Sequence, residues 1–341
     1  MDTNPVPASI PRPRIVFMGT PDFAVASLRA LVESGQNVVG VVTTPDRPVG
    51  RHHSKLQPCP VAAYARAHGI PLLQPERLRD TAFLSALHSL RADMQVVVAF
   101  RMLPEEVWAM PPLGTFNLHA SLLPAYRGAA PINWAIIRGE KLTGCTTFLL
   151  DRQIDTGAIL LQQSTPIRPD DNAASLHDRL MAMGARLVLQ TVHILAQGSP
   201  QAIPQSQLPA PKPGSESAPK LHRENTRINW AQTTLQVHNF IRGLAPHPAA
   251  WTLWRETPTK ILASRLLPTA EEPSPKSVLA GETREAHPDT APDAAPVIAH
   301  NGRLLARCSD GWLSITRLQP AGSKPMDADA WLRGHRMVNG E

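Results

Sequence analysis

The opening run Arg14-Ile-Val-Phe-Met-Gly19 leads into Thr20-Pro21, an amphipathic segment to about Ser34, and then Asn37-Val-Val-Gly-Val-Val42. No other part of the chain constrains the fold as strongly. A strand without polar alternation must be covered on both faces, and two such strands separated by a helix-length segment pair in parallel through a crossover. Thr20 as N-cap with Pro21 at the first helical position predicts where the helix starts. The alternation continues. Helices are expected around Val61–His68 and Asp80–Leu90, strands at Asp93–Phe100, Gly114–His119, Thr143–Leu150 and Ala158–Gln163, and a long helix over Ala173–Ala196. The expectation is an α/β architecture with a Rossmann-like, mostly parallel sheet. The first turn reads Gly-Thr-Pro rather than GxGxxG, so a dinucleotide fingerprint is absent.

At 341 residues, 43% of them hydrophobic, the chain suits two domains rather than one core. Its 35 prolines are about twice the usual share of roughly 5%, and they cluster where linkers are expected. The division expected is a disordered tail over 1–12, a catalytic domain over 13–198, a Pro/Ser/Gln-rich linker over 199–220 and a second domain over 221–341. That second domain looks partly helical over Leu221–Ile241, with short strands in Ala249–Leu267 and Val297–Leu318, and resembles a small, OB-like β-barrel. Residues 268–296, rich in Pro, Ala, Glu and Asp, read as a disordered acidic insert. The tryptophans Trp230, Trp251, Trp254 and Trp312 are expected in the barrel core rather than as stacking platforms.

The formal net charge is +6. Residues 221–341 hold 14 Lys and Arg against 12 Asp and Glu, and six of those acids but only two of the bases lie in 268–296. The rest of the second domain is therefore basic, as a nucleic-acid partner requires. Cys59, Cys145 and Cys308 are odd in number and far apart, with no CxxC or Cys/His spacing, so neither a disulfide framework nor a structural zinc is expected. The thiols fit a reducing cytoplasm. No apolar stretch reaches 18 residues, so no membrane span is expected, and Met1–Pro7 lacks the basic and apolar regions of a secretory signal.

Asn117 and His119 carry the first hint of chemistry. Residues i and i+2 of a strand point to the same side, so an amide donor and a titratable base could hold one reacting carbonyl between them. Taken alone, the pair also fits two polar residues on the wet face of an edge strand. Beyond His119 the chain reads Ser121-Leu-Leu-Pro124, then Tyr126-Arg-Gly128, and 36 positions after His119 it reaches Asp155-Thr-Gly157. By itself Asp155 reads as a turn-capping residue.

Together these residues resemble the signature of the folate-dependent formyltransferases, N-x-H-x-S-L-L-P-x-[aromatic]-[Arg/Lys]-G with a downstream D-x-G. Within that family the chain is most similar to members that act on the methionine-charged initiator tRNA. The similarity rests on Arg14–Phe23, on Thr44-Pro-Asp-Arg-Pro-Val-Gly-Arg51, and on three stretches of the second domain: Arg227-Ile-Asn-Trp230, Ile241–Pro248 and Leu318–Gly322. It departs from the family at His52-His53-Ser54-Lys55, at Phe100-Arg-Met-Leu-Pro104 and in the acidic insert.

The resemblance implies formyl transfer from 10-formyltetrahydrofolate, as co-substrate and without a metal, to the α-amine of methionine on initiator tRNA. Asn117 would be the oxyanion donor, His119 the proton-exchanging base and Asp155 its carboxylate partner. Phe100, Arg101, Met102 and Leu103, with Ser121, Leu122, Leu123 and Pro124, would line the folate pocket, the latter four largely through backbone groups. Arg47, Arg51 and Lys55 on the basic loop would meet the tRNA. The family expectation is a monomer. An amino-sugar-nucleotide formyltransferase would need neither this loop nor a basic barrel. A glycinamide ribonucleotide formyltransferase would end near residue 200, and the hydrolysing and dehydrogenase members carry domains missing here. A non-catalytic RNA-binding relative would be expected to have lost the triad.

Overall fold

A computed structural model describes residues 12–49, 55–198, 200–254, 257–268, 271–273 and 297–334. The chain folds as two compact units. The first holds the chain up to Pro131, Leu142–Pro166 and His177–Ala218; the second holds Ile132–Lys141, Ile167–Leu176 and Pro219 onward.

The first unit is built on β1 (Arg14–Gly19), α1 (Asp22–Glu33), β2 (Asn37–Val42), β3 (Arg47–Val49), β4 (Lys55–Gln57), α2 (Pro60–Ala67), β5 (Leu72–Leu73), α3 (Thr81–Ser89) and β6 (Met94–Val98). Then come α4 (Glu105–Trp108), β7 (Thr115–His119), β8 (Arg127–Gly128), α5 (Pro131–Ile137), which belongs to the second unit from Ile132 on, β9 (Leu142–Leu149), β10 (Ile159–Pro166) and α6 (Ala173–Ala196), which belongs to the first unit from His177 on. A 3-10 turn at Gln205–Gln207 and β11 (Ser217–Ala218) follow. One seven-stranded sheet runs β10-β9-β7-β6-β1-β2-β5, parallel throughout except for β9 and β10. Ile15 to Met18 are fully buried, as a strand covered on both faces must be, and Phe17, Phe116 and Phe148 are among the largest fully buried side chains. Each such burial stabilises the unit by about 1.5–3 kcal/mol.

Three expectations shift. Thr20 does not cap α1: Pro21 holds the cap position with extended backbone, so the helix starts at Asp22, whose charge suits the N-terminal end. The basic loop is in part a hairpin, β3 pairing antiparallel with β4, anchored at Asp46 by an ion pair with Arg66 at 2.9 Å and a hydrogen bond from Gln74 at 2.7 Å. The segment expected as a linker packs in the first unit as far as Ala218, because Ile203 exchanges two backbone hydrogen bonds with Ile159 and β11 pairs in parallel with β8. The tail up to Pro11 and nearly all of the acidic insert lie outside the described residues.

The second unit adds a 3-10 turn at Glu224–Thr226, α7 (Thr234–Leu244), β12 (Ala250–Trp254), β13 (Thr257–Leu266), β14 (Val297–His300), β15 (Arg303–Arg307), β16 (Trp312–Pro320), β17 (Met326–Asp327) and α8 (Ala328–Gly334). Its strands are antiparallel in the order β12-β13-β16-β15-β14, with β17 on β16. α7 starts from a capping box of Thr233 and Gln236. It packs Val237, Ile241 and Leu244 with Ile261, Leu304, Leu313, Leu318 and Trp331 into one core. Trp230 and Trp312 are buried as expected, and Trp254 packs on Trp331 with ring centroids 4.6 Å apart. Trp251 departs from the expectation. It is half-buried, with Arg223 and Arg227 over its ring at 5.0 and 5.5 Å.

Candidate active site

β7 lies between β6 and β9, which excludes the edge-strand alternative for Asn117 and His119. Asn117 pairs with Val97 on one side and Phe148 on the other, and His119 pairs with Thr146. Both side chains project to one face near the carboxyl end of a parallel strand, where α/β sheets place their ligands. His119 is 6% exposed. Its Nε2 lies 2.8 Å from the backbone carbonyl of Tyr126. A carbonyl can only accept, so Nε2 is a donor, and the tautomer with one proton leaves the lone pair at Nδ1. Asp155 Oδ2 stands 3.7 Å from that Nδ1, an ion-pair separation rather than a hydrogen bond. Asn117 is half-buried, and its Oδ1 is buried without a hydrogen-bond partner. A buried amide oxygen left unpaired is costly to stability, and such groups are tolerated where a ligand engages the amide.

Asp155 reaches this position from the turn between β9 and β10. The turn starts as an Asx arrangement, in which Asp151 accepts from Gln153 N–H at 2.9 Å and from Thr156 Oγ1 at 2.7 Å. Asp155 itself has φ +56°, a left-handed conformation that non-glycine residues seldom hold outside functional sites. Gly157 makes the turn possible: a Cβ there would lie 1.6 Å from the Leu149 carbonyl oxygen, so only glycine lets the chain return against β9. The carboxylate is oriented from across the site, where Gly128 N–H donates to Oδ2 at 2.9 Å. Gly128 is at φ +120°, and a Cβ on it would meet the Ala218 carbonyl oxygen at 2.7 Å. The D-x-G and aromatic-Arg-Gly motifs therefore answer each other in space.

The expected folate-lining residues separate into two groups. Arg101, Met102 and Leu103 form one wall of a cavity of about 370 Å³ completed by Pro104 and by Arg77, Leu78 and Arg79. This wall leaves the sheet directly after β6, whose Val98 pairs with Leu118, so it lies beside the end of β7. Arg101 donates to the carbonyl of Glu76 at 2.8 Å and to that of Pro75. Its Nε is buried without a partner, and burial lowers the guanidinium pKa from its ordinary value. Met102 is 76% exposed at the rim of this cavity. Phe100 packs instead with the cluster under α3 and α4.

Ser121–Pro124 do not line that cavity. Ser121 and Leu123 are buried, and three of the segment's backbone polar groups bond to side chains of β9 and β10. Thr146 Oγ1 donates to the Ser121 carbonyl at 2.7 Å and accepts from Leu123 N–H at 3.1 Å, while Gln162 Nε2 donates to the Leu123 carbonyl at 2.7 Å. These bonds hold the segment against β9 and β10. Of the expected tRNA contacts, Arg47 is exposed on β3, Lys55 begins β4, and Arg51 lies outside the described residues.

Two residues of the site were not among the expected ones. Gln205, 6% exposed, donates from Nε2 to the carbonyls of Asp155 and Gly157, both at 2.9 Å. Arg127 donates to Gln205 Oε1 from Nε at 3.2 Å and Nη2 at 2.6 Å. Arg127 carried a signal, since it occupies the Arg/Lys position of the motif. Gln205 carried none, because a glutamine in a proline-rich stretch looks like solvated linker.

Comparisons with known proteins follow the same lines. The formyl transferase family model matches residues 13–192, and that of the formyl transferase C-terminal domain matches 220–336. Over its length the chain is 50% identical to the methionyl-tRNA formyltransferase of Parabacteroides distasonis, covering 95% of this chain and 96% of that one. It is 45% identical to the methionyl-tRNA formyltransferase of Chlorobium phaeovibrioides, covering 96% and 97%. Among solved structures, the fold matches HypX from Aquifex aeolicus, in complex with tetrahydrofolic acid, with a TM-score of 0.60 at 17% identity over 94% of this chain. The chain spans about half of HypX, 47% of its length. An N-formyltransferase from Helicobacter canadensis, in complex with folinic acid and dTDP-3-aminofucose, matches with a TM-score of 0.59 at 19% identity over 90% of this chain and 99% of that one. The chain belongs to the formyl transferase family, and the two full-length relatives of 50% and 45% identity are methionyl-tRNA formyltransferases.

Proposed function

We propose that this protein transfers the formyl group of 10-formyltetrahydrofolate to the α-amine of methionine esterified to initiator tRNA. The observation that carries the reading is the Asn117–His119–Asp155 arrangement at the end of β7, in a chain that is 50% identical to a methionyl-tRNA formyltransferase over 95% of its length.

The geometry divides the work. The neutral α-amine attacks the formyl carbon and the carbonyl oxygen becomes an oxyanion. Asn117 donates to it from Nδ2, an amide not otherwise engaged at its oxygen. His119, held by Tyr126 with Nδ1 unprotonated, takes the proton that the attacking nitrogen sheds. Asp155 then faces an imidazolium, and its own position is held by Gly128. His119 returns the proton to the leaving folate nitrogen as the carbon–nitrogen bond breaks. The reaction generates no hydroxide and so calls for no metal.

Arg101–Leu103 and the cavity they wall suit the folate, with Ser121–Pro124 as the scaffold that fixes the strand end. The first unit is the catalytic domain and the second, with its basic surplus and OB-like strand content, the tRNA-binding domain; Arg47, Arg51 and Lys55 of the basic segment would also meet the tRNA. A monomer acting in the cytoplasm is the setting this reading implies; no helix among the described residues is long and apolar enough to cross a membrane.

The test is formylation from 10-formyltetrahydrofolate of charged initiator tRNA, charged elongator tRNA and a nucleotide-linked amino sugar. Formylation of the initiator species is expected. Formylation of the amino sugar alone would overturn the proposal.

A further inference from the structure

The side chain of Gln205 is committed at both ends to the catalytic turn and its neighbour strand. Nε2 pins the carbonyls of Asp155 and Gly157, and Oε1 receives two bonds from Arg127. We infer that Gln205 is a positioning residue for Asp155, and that the segment 203–218 is a strap that fixes both partners of the His119 imidazole. The inference rests on the assignment of Asp155 to the reaction and gives Gln205 a role of its own in it.

Asp155 sits at φ +56°, so its conformation has to be imposed from outside. A single amide that grips the carbonyls of Asp155 and Gly157 fixes the peptide plane that leaves Asp155 and the return of the turn behind it. The contacts also close on themselves. Arg127, which grips the other end of Gln205, immediately precedes Gly128, whose N–H holds Asp155 Oδ2 at 2.9 Å. Asp155 is thus held at its backbone and at its carboxylate by one ring of contacts, in which Gln205 supplies the side-chain amide.

The same segment secures the imidazole's other partner. Ser215 accepts from Tyr126 N–H at 2.7 Å, and Ser217 pairs with Arg127. This holds the Tyr126 carbonyl, in a residue itself at φ +60°, under His119 Nε2. Ile203 and Ile159 join the start of the strap to β10 through two backbone bonds of 2.8 Å. The strap therefore bridges the two loops that present Asp155 and Tyr126.

The experiment is a double-mutant cycle read by steady-state formylation. Gln205→Leu removes both donors and is expected to lower kcat roughly tenfold to a hundredfold, the scale of a misplacement of about 1 Å. KM for either substrate should move by no more than about threefold. Gln205→Glu keeps the Arg127 contact but sets an oxygen against two carbonyl oxygens, and it should lose kcat to a similar degree. In an Asp155→Ala background, Gln205→Leu should change kcat by less than about twofold, since its route of action is already gone. Gln205→Asn retains the amide but falls short by one methylene; should the leucine variant not fold, its kcat in the two backgrounds decides the matter in the same way. Equal fold-losses with and without Asp155, a loss confined to KM, or full activity of Gln205→Glu would each overturn the inference. Asp155→Ala alone at wild-type kcat would sink the catalytic assignment instead, and that outcome is read without any change at Gln205.

Discussion

The surroundings of the buried His119 and Gln205 in the first unit and the core of the second are held together by opposite means. Around Asp155 the inward-facing groups are polar and directional: an imidazole on a carbonyl, a carboxylate on a backbone N–H, and an amide shared between two carbonyls and a guanidinium. In the core under α7 the contacts are apolar, from Ile241 and Leu244 to Trp331. Hydrogen bonds fix distance and angle, which a proton-transfer site needs; apolar packing fixes volume, which suffices for a module that presents a surface. The first unit should therefore lose rate before it loses stability, and the second should do the reverse.

Asn117→Ala is the strongest attempt to break this contrast. It should lower kcat by roughly 10²–10³ while leaving the melting temperature nearly unchanged, read by formylation and thermal unfolding in parallel. A large stability loss with little rate loss would place Asn117 on the structural side. His238 tests the second unit at a strongly perturbed histidine. Burial, with Arg242 adding to it, pushes the imidazole down to about 4, and Nδ1 lies 3.0 Å from Ser264 Oγ. As pH falls from about 6.5 toward 4, the unfolded chain takes up a proton that the folded one refuses, so stability is complete above that window and declines through it. Denaturant unfolding should show about 1–2 kcal/mol less stability at pH 5 than at pH 7, and His238→Gln should flatten that slope. Ile241→Val, in the core of the same unit, should cost about 0.5–1.5 kcal/mol with kcat unaltered; a lower kcat would show that this core also tunes the chemistry. Arg47→Ala should have the smallest effect, a dependence of tRNA affinity on salt that is shallower by about 0.7–0.9 for each phosphate the side chain no longer neutralises. An unchanged slope would assign Arg47 to solvent.

Legibility followed the range of the interactions. Strands β1, β2 and β6 were visible because each is a largely apolar run whose burial needs no distant partner to explain it, and α6 matched its expected span of Ala173–Ala196. The triad was legible because three residue types stood in family order. The hairpin β3–β4 was read as a loop because Pro, Arg and His obscure any strand alternation. The strap was read as a linker for the same reason: Gln205 is polar and prolines punctuate its surroundings, yet it is buried by what folds over it.

By itself the sequence determined the parallel α/β sheet, the basic second domain and which residues are proposed to react, because hydrophobic period, charge and motif order are local properties. Only the tertiary structure decided that Asn117 and His119 occupy a central strand, that Nε2 of His119 is the protonated nitrogen, and that Asp155 is held by Gly128 and Gln205. Those facts depend on hydrogen bonds between residues as far as 27 and 50 positions apart, and such bonds exist only once the chain has closed around them.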